Sequence, residues 1–124
     1  MAQPNIKIIG MANVSSFLKG KSKEVIDKAN KGIHEAGFFM EGEVVASISG
    51  QRAEPQSVDT GRFRGSVSTD NSKKLKSSVG TNVGYADTLE YGTSTRPARH
   101  HFRNSAKRNE QKVVGYVKAE VNKI

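Results

Sequence analysis

From about Ser22 to Ser49 apolar side chains recur at steps of three and four: Val25, Ile26, Ala29, Ile33, Ala36, Met40, Val44 and Ile48. That period puts them on one face of an amphipathic helix of about seven turns. Gly32, Gly37 and Gly42 interrupt it. Each costs roughly 1 kcal/mol relative to alanine, so contacts with other elements have to hold the helix. Phe38 and Val45 fall nearly opposite the main stripe, which predicts a second covered face. Either another part of the same chain lies there or a second subunit does.

Before this helix, Asn5 to Ile9 (NIKII) is a short β-prone run ending at Gly10, followed by a linker rich in Ser, Asn, Gly and Lys. After it, Gly50 to Gly65 (GQRAEPQSVDTGRFRG) has no sustained apolar period and reads as a long, mobile loop. Ser66 to Asp70 and Leu75 to Thr81, joined by a polar turn through Asn71 to Lys74, predict a β-hairpin, and Val83 to Glu90 predicts a further strand. Gly92 breaks that run and Pro97 sits in an extended connector. Phe102, Ala106, Val113, Val117 and Val121 then keep helical spacing in a second helix from about His101 to Asn122. The order predicts an α+β domain, an antiparallel sheet packed on one side by helices. At 124 residues the chain has room for a single domain, 1–124.

Charge is unevenly placed. The formal net charge is +8; residues 1–50 and 51–95 each carry one excess positive charge, and 96–124 carry the other six. There Arg96, Arg99, Arg103, Lys107, Arg108, Lys112, Lys118 and Lys123 face only Glu110 and Glu120. Such a segment is either a solvated face or one that seeks a polyanion or an acidic protein surface. The absence of cysteine removes disulfides, thiolate catalysis and sulfur-ligated zinc. No run of about 18 apolar residues is present, and Met1 to Gly10 lacks the pattern of an export signal, so a soluble protein without a membrane partner is expected.

Catalytic sets are hard to find. Gly20-Lys21-Ser22 resembles the end of a phosphate-binding loop, but Ser15 stands where that motif needs its first glycine. His34 lies off the apolar stripe and reads as solvated. His100 and His101, adjacent and thus pointing about 100° apart on a helix, read as polar surface or capping groups, not as a shared metal site. No serine lies in a Gly-x-Ser-x-Gly elbow. Asp59, Asp70, Asp87 and Glu90 are scattered and read as turn-forming or surface groups. No enzyme activity, cofactor or metal is expected.

Two segments are more specific: Val58-Asp59-Thr60-Gly61-Arg62-Phe63-Arg64-Gly65-Ser66, and Tyr85-Ala86-Asp87-Thr88-Leu89-Glu90-Tyr91-Gly92-Thr93 followed by Arg96-Pro97-Ala98-Arg99. Asp-Thr-Gly suits a turn that ends the loop and starts a strand, with glycine at positive φ. In order and spacing the pair resembles the neck and minor tail component family of tailed bacteriophages, the head–tail joining group that includes lambda's tail-completion protein Z. The resemblance runs from about Val25 to Val121. It departs at Phe63, where leucine is usual, and at Ala98-Arg99-His100-His101-Phe102, where a proline normally follows the arginine.

The resemblance implies a structural virion protein with no catalytic residues. It would form a homo-oligomeric ring, a hexamer or dodecamer, at the head–tail junction, between the head connector or head-closure protein and the tail-terminator or tail-tube protein. It would be found in the virion, and in the host cytoplasm during assembly. The loop Gln51 to Arg64 would order against a neighbouring subunit or ring, and its deletion is expected to block joining while leaving the monomer folded. Asp59, Thr60, Gly61, Arg62, Phe63, Arg64, Glu90, Tyr91, Gly92, Arg96 and Arg99, with Phe38 and Val45 on the first helix, are the candidate contact residues. The four arginines suit acidic surfaces. The alternative from another class is a basic module contacting DNA non-specifically. It would lack a stacking platform, since only Phe102 and Tyr116 accompany the C-terminal bases.

Overall fold

A computed structural model describes residues 4–9, 23–57 and 61–123. Its elements are β1 (Asn5–Ile9), α1 (Lys23–Ile48), α2 (Arg62–Ser66), β2 (Ser68–Asp70), β3 (Lys76–Gly80), α3 (Ala86–Tyr91), α4 (His101–Arg108) and α5 (Glu110–Val121). The architecture is α+β. Three antiparallel strands in the order β1-β3-β2 lie against α1, and α4 and α5 pack on the same long helix.

The hairpin forms as its sequence predicts, with Ser68 opposite Gly80 and Asp70 opposite Ser78. β1 joins the other edge of β3 in the register Asn5 to Gly80 through Ile9 to Lys76. The hairpin is fastened to α1 by polar side chains. Leu75 N–H donates to Asn30 Oδ1 at 2.6 Å, and Thr69 Oγ1 donates to Glu41 Oε1 at 2.8 Å. The His34 ring at Nε2 lies 3.0 Å from the Lys73 carbonyl, so His34 helps hold the turn and is not simply solvated.

The apolar stripe of α1 is the centre of the core. Met40, Val44 and Ile48 join Ile6, Phe63, Val67, Val79, Val83, Ala86 and Phe102 in one buried cluster. Two of the three glycines in α1 are sites of close approach. A Cβ on Gly32 would lie 2.7 Å from the Val117 Cα of α5, and one on Gly37 would collide with Ser77 of β3. Their cost in helix propensity is offset by the packing that their missing side chains permit. An added Cβ on Gly42 would meet nothing, and beside it Phe38 is 61% exposed, whereas Val45 is partly buried against the core. The second face of α1 is therefore covered only in part within the subunit.

Three expectations are corrected. Val83 to Glu90 is not a strand. Val83, Ala86 and Glu90 are buried at helical steps of three and four, and Thr88 Oγ1 donates to the Tyr85 carbonyl at 2.7 Å, closing the first turn of α3. The third strand of the sheet is β1 instead. In its described parts, 50–57 and 61–65, the segment from Gly50 to Gly65 is not a free loop leading to a strand: Gly61, at φ 80°, opens α2, and Phe63 enters the core. The C-terminal helix is two helices broken at Asn109. Its buried side-chain amide donates to the Ser105 carbonyl at 2.9 Å and to Glu43 Oε1 of α1 at 3.1 Å, which diverts the chain between α4 and α5. The segment Gly20 to Ser22 lies outside the described residues.

Candidate interaction surface

Residues 50–57 turn back along the C-terminal end of α1. Gln51 N–H donates to the Ala46 carbonyl at 2.9 Å and Ser57 N–H to that of Ile48 at 2.8 Å. Beneath this arm lies a buried polar clasp that the sequence did not advertise. Ser47, on the core line of α1 three residues after Val44, donates to Glu54 Oε1 at 2.5 Å and lies 2.7 Å from His101 Nδ1. His101 Nε2 is 2.7 Å from Ser57 Oγ, which also accepts from Arg99 Nη1 at 2.7 Å. Because the Ser47 proton goes to the carboxylate, Nδ1–H of a neutral His101 donates to Ser47, and the Ser57 hydroxyl donates to Nε2.

Glu54 is the hub. Arg108 grips its carboxylate with two bonds of 3.0 Å, and Asn104 adds one of 3.1 Å. Burial pushes the carboxyl up, but the bonds from Arg108, Ser47 and Asn104 outweigh it and leave the group at about 2. Burial also pushes the His101 imidazole down to about 4, with Glu54 opposing and Arg99 adding to the shift. Ser57, His101, Ser47 and Glu54 thus form a chain with the connectivity of a nucleophile, a base and its orienting groups. The imidazole is fully buried, with Nε2 bonded to Ser57 of the arm and Nδ1 to Ser47 of α1, so the chain of bonds clasps the arm to α1 and α4.

The two motif segments meet around Phe63. Its ring is 6.1 Å from that of Tyr85 and 6.1 Å from that of His101, both edge-to-face. Arg99, in the second segment, reaches the arm through the Gln56 carbonyl at 2.8 Å as well as Ser57. Glu90 is not a surface carboxylate: it is buried, and its two oxygens accept from the backbone N–H groups of Phe102 and Arg103, both at 2.9 Å. It caps α4, supplying the acceptors that the first turn of a helix lacks. Gly92, at φ 78°, lets the chain double back, since a Cβ there would stand 2.7 Å from Ala98 N.

The predicted contact residues therefore divide. Phe63 and Glu90 are interior, Gly61 and Gly92 shape the backbone, and Arg99 ties down the arm. Arg62, Arg64, Tyr91 and Arg96 are exposed, together with Tyr85, which was not among the candidate contacts. Asp59 and Thr60 lie outside the described residues. Phe38 stands apart, roughly 14 Å along α1 from Ser47 at about 1.5 Å per residue.

The basic C-terminal segment is less available than its count suggests. Arg99 and Arg108 serve the clasp, and Lys123 pairs with Glu120 at 2.9 Å. Lys112 sits 5.8 Å over the Phe39 ring, whose other neighbour is Tyr116. Among the described residues no group of three His, Cys, Asp or Glu is placed to hold a metal ion, and no helix is long and apolar enough to cross a membrane. No family model, no curated protein and no solved structure matches this chain.

Proposed function

We propose that the chain is an assembly subunit of a tailed-bacteriophage particle, forming a ring at the neck or the head-proximal end of the tail and joining head to tail. The observation that carries this reading is that two segments distant in sequence meet where Phe63 packs edge-on against Tyr85. Phe63 and Glu90 are buried in the two segments, while Tyr85, Tyr91, Arg64 and Arg96 are exposed on them. Exposed tyrosine and arginine are the residue types that anchor protein interfaces. The clasp supports the reading too, because an arm already ordered on its own subunit lowers the entropic cost of docking. The DNA-binding alternative draws less support, since Arg99 and Arg108 are engaged in the clasp within the subunit.

The test is joining in vitro. Purified protein is added to heads and tails from particles that lack it, and joined particles are counted by electron microscopy. Wild-type protein should restore joining, and Tyr91→Ala with Arg96→Ala should reduce it at least about ten-fold with an unchanged far-ultraviolet circular dichroism spectrum. Failure of the wild-type protein to join them would sink the reading. Retention on DNA that falls steeply with salt, without joining, would favour the alternative.

A further inference from the structure

A trough of about 520 Å³ opens between β1, α1 and α5, with Ala106 of α4 in its lining. Ile8 forms one wall, Ile33 and Met40 the floor, and Val113 and Val117 the other wall. Along the α5 rim stand Glu110, Val114 and Lys118, spaced four apart and so on one line of the helix. Val114 is 45% exposed, and both charged residues are exposed on either side of it.

We propose that this face is a two-fold interface with a second copy of the chain. The argument is the order acid, apolar, base at equal spacing. If two α5 helices meet antiparallel about an axis through Val114, the valines face each other, and each Glu110 meets the Lys118 of the other copy. An isologous contact requires a patch complementary to itself, and the α5 line of Glu110, Val114 and Lys118 is so in charge. The contact also withdraws Val114 and the apolar rim beside it from water, the main driving force for association. A parallel approach would set Glu110 against Glu110 and Lys118 against Lys118, which disfavours it. The contact does not rest on the phage reading: it pairs free copies, and is distinct from the head-to-tail contacts between neighbours in a cyclic ring.

The test is sedimentation equilibrium of the full chain at low salt, from about 1 to 200 µM. The wild-type protein should show a monomer–dimer equilibrium. Lys118→Glu, which creates two like-charge pairs by symmetry, should weaken it about ten-fold or more. The swapped variant Glu110→Lys with Lys118→Glu should restore it, and Val114→Asp should abolish it. All three positions are exposed, so unchanged circular dichroism is expected throughout. A wild-type monomer at every concentration overturns the proposal and leaves the trough to another occupant, the chain's own residues 10–22 or an unrelated partner. Association that ignores the charge reversal, or that the swap fails to restore, overturns it as well. Loss of pairing with joining retained, or the reverse, separates this proposal from the functional one.

Discussion

Phe63 was read as a candidate contact and is a core residue. Arg62 and Arg64 on either side of it face outward, so the described part of the motif is a polar surface segment pinned by one aromatic wedge. Phe63→Ala removes that wedge and should cost about 3–5 kcal/mol, read as a fall in urea midpoint with an unchanged slope. His101 yields a pH prediction. Its folded pKa, about 4, lies below the ordinary value of 6.5, so the folded state prefers the neutral ring. Its contribution is complete above pH 6.5 and is lost as pH falls from 6.5 toward 4, an effect on the order of 3 kcal/mol. Glu54, at about 2 in the folded state, adds a second loss between pH 4.5 and 2. Urea midpoints at pH 7 and pH 4.5 should differ in the wild-type protein, and the difference should shrink in His101→Asn. A flat profile in the wild-type protein would refute this account of the clasp.

Among the elements, α1 was legible in nearly its full length because its apolar period is strong and long. β1 and the hairpin were legible as well, since short β-prone runs bounded by polar turns leave few alternatives. The C-terminal break was not. Phe102 through Val121 keep a helical period across Asn109, and only the tertiary bond to Glu43 reveals why the helix divides there. Asn109→Ala removes that bond and the one to Ser105, and should destabilise the chain by about 1–3 kcal/mol in thermal melts. Gly32→Val should do more damage than its propensity gain suggests. The new side chain would meet the α5 backbone at 2.7 Å and force α1 and α5 apart. A stabilised Gly32→Val protein would show that this helix crossing is not as tight as described. Gly42→Ala, with open space around it, should instead be neutral or stabilising by up to about 1 kcal/mol.

For the whole molecule, the structure revises one expectation about function. Deleting residues 51–64 would remove Glu54, Ser57 and Phe63 together, so the monomer should not survive the deletion intact. Thermal melting of that variant should show no cooperative transition; a normal transition would mean that the arm and α2 contribute little. Point changes at Tyr91 and Arg96 are therefore the sharper probe of joining. The part of the candidate surface legible in sequence was its location in two segments. Their division into buried supports and exposed contacts was not legible, because both kinds of residue share the same short polar stretches.

By itself the sequence determined the α+β class, the long amphipathic helix, the hairpin, and the excess of cations near the C-terminus, all of which follow from local periodicity and composition. Only the tertiary structure decided that Glu90 and His101 are interior, that Arg99 and Arg108 serve their own subunit, and that Phe63 fills the core. The reason is physical. Whether a polar side chain is a surface group or a buried one depends on partners dozens of residues away, such as Ser47 and Glu54 for His101 and Arg108, and those distances exist only in the folded chain.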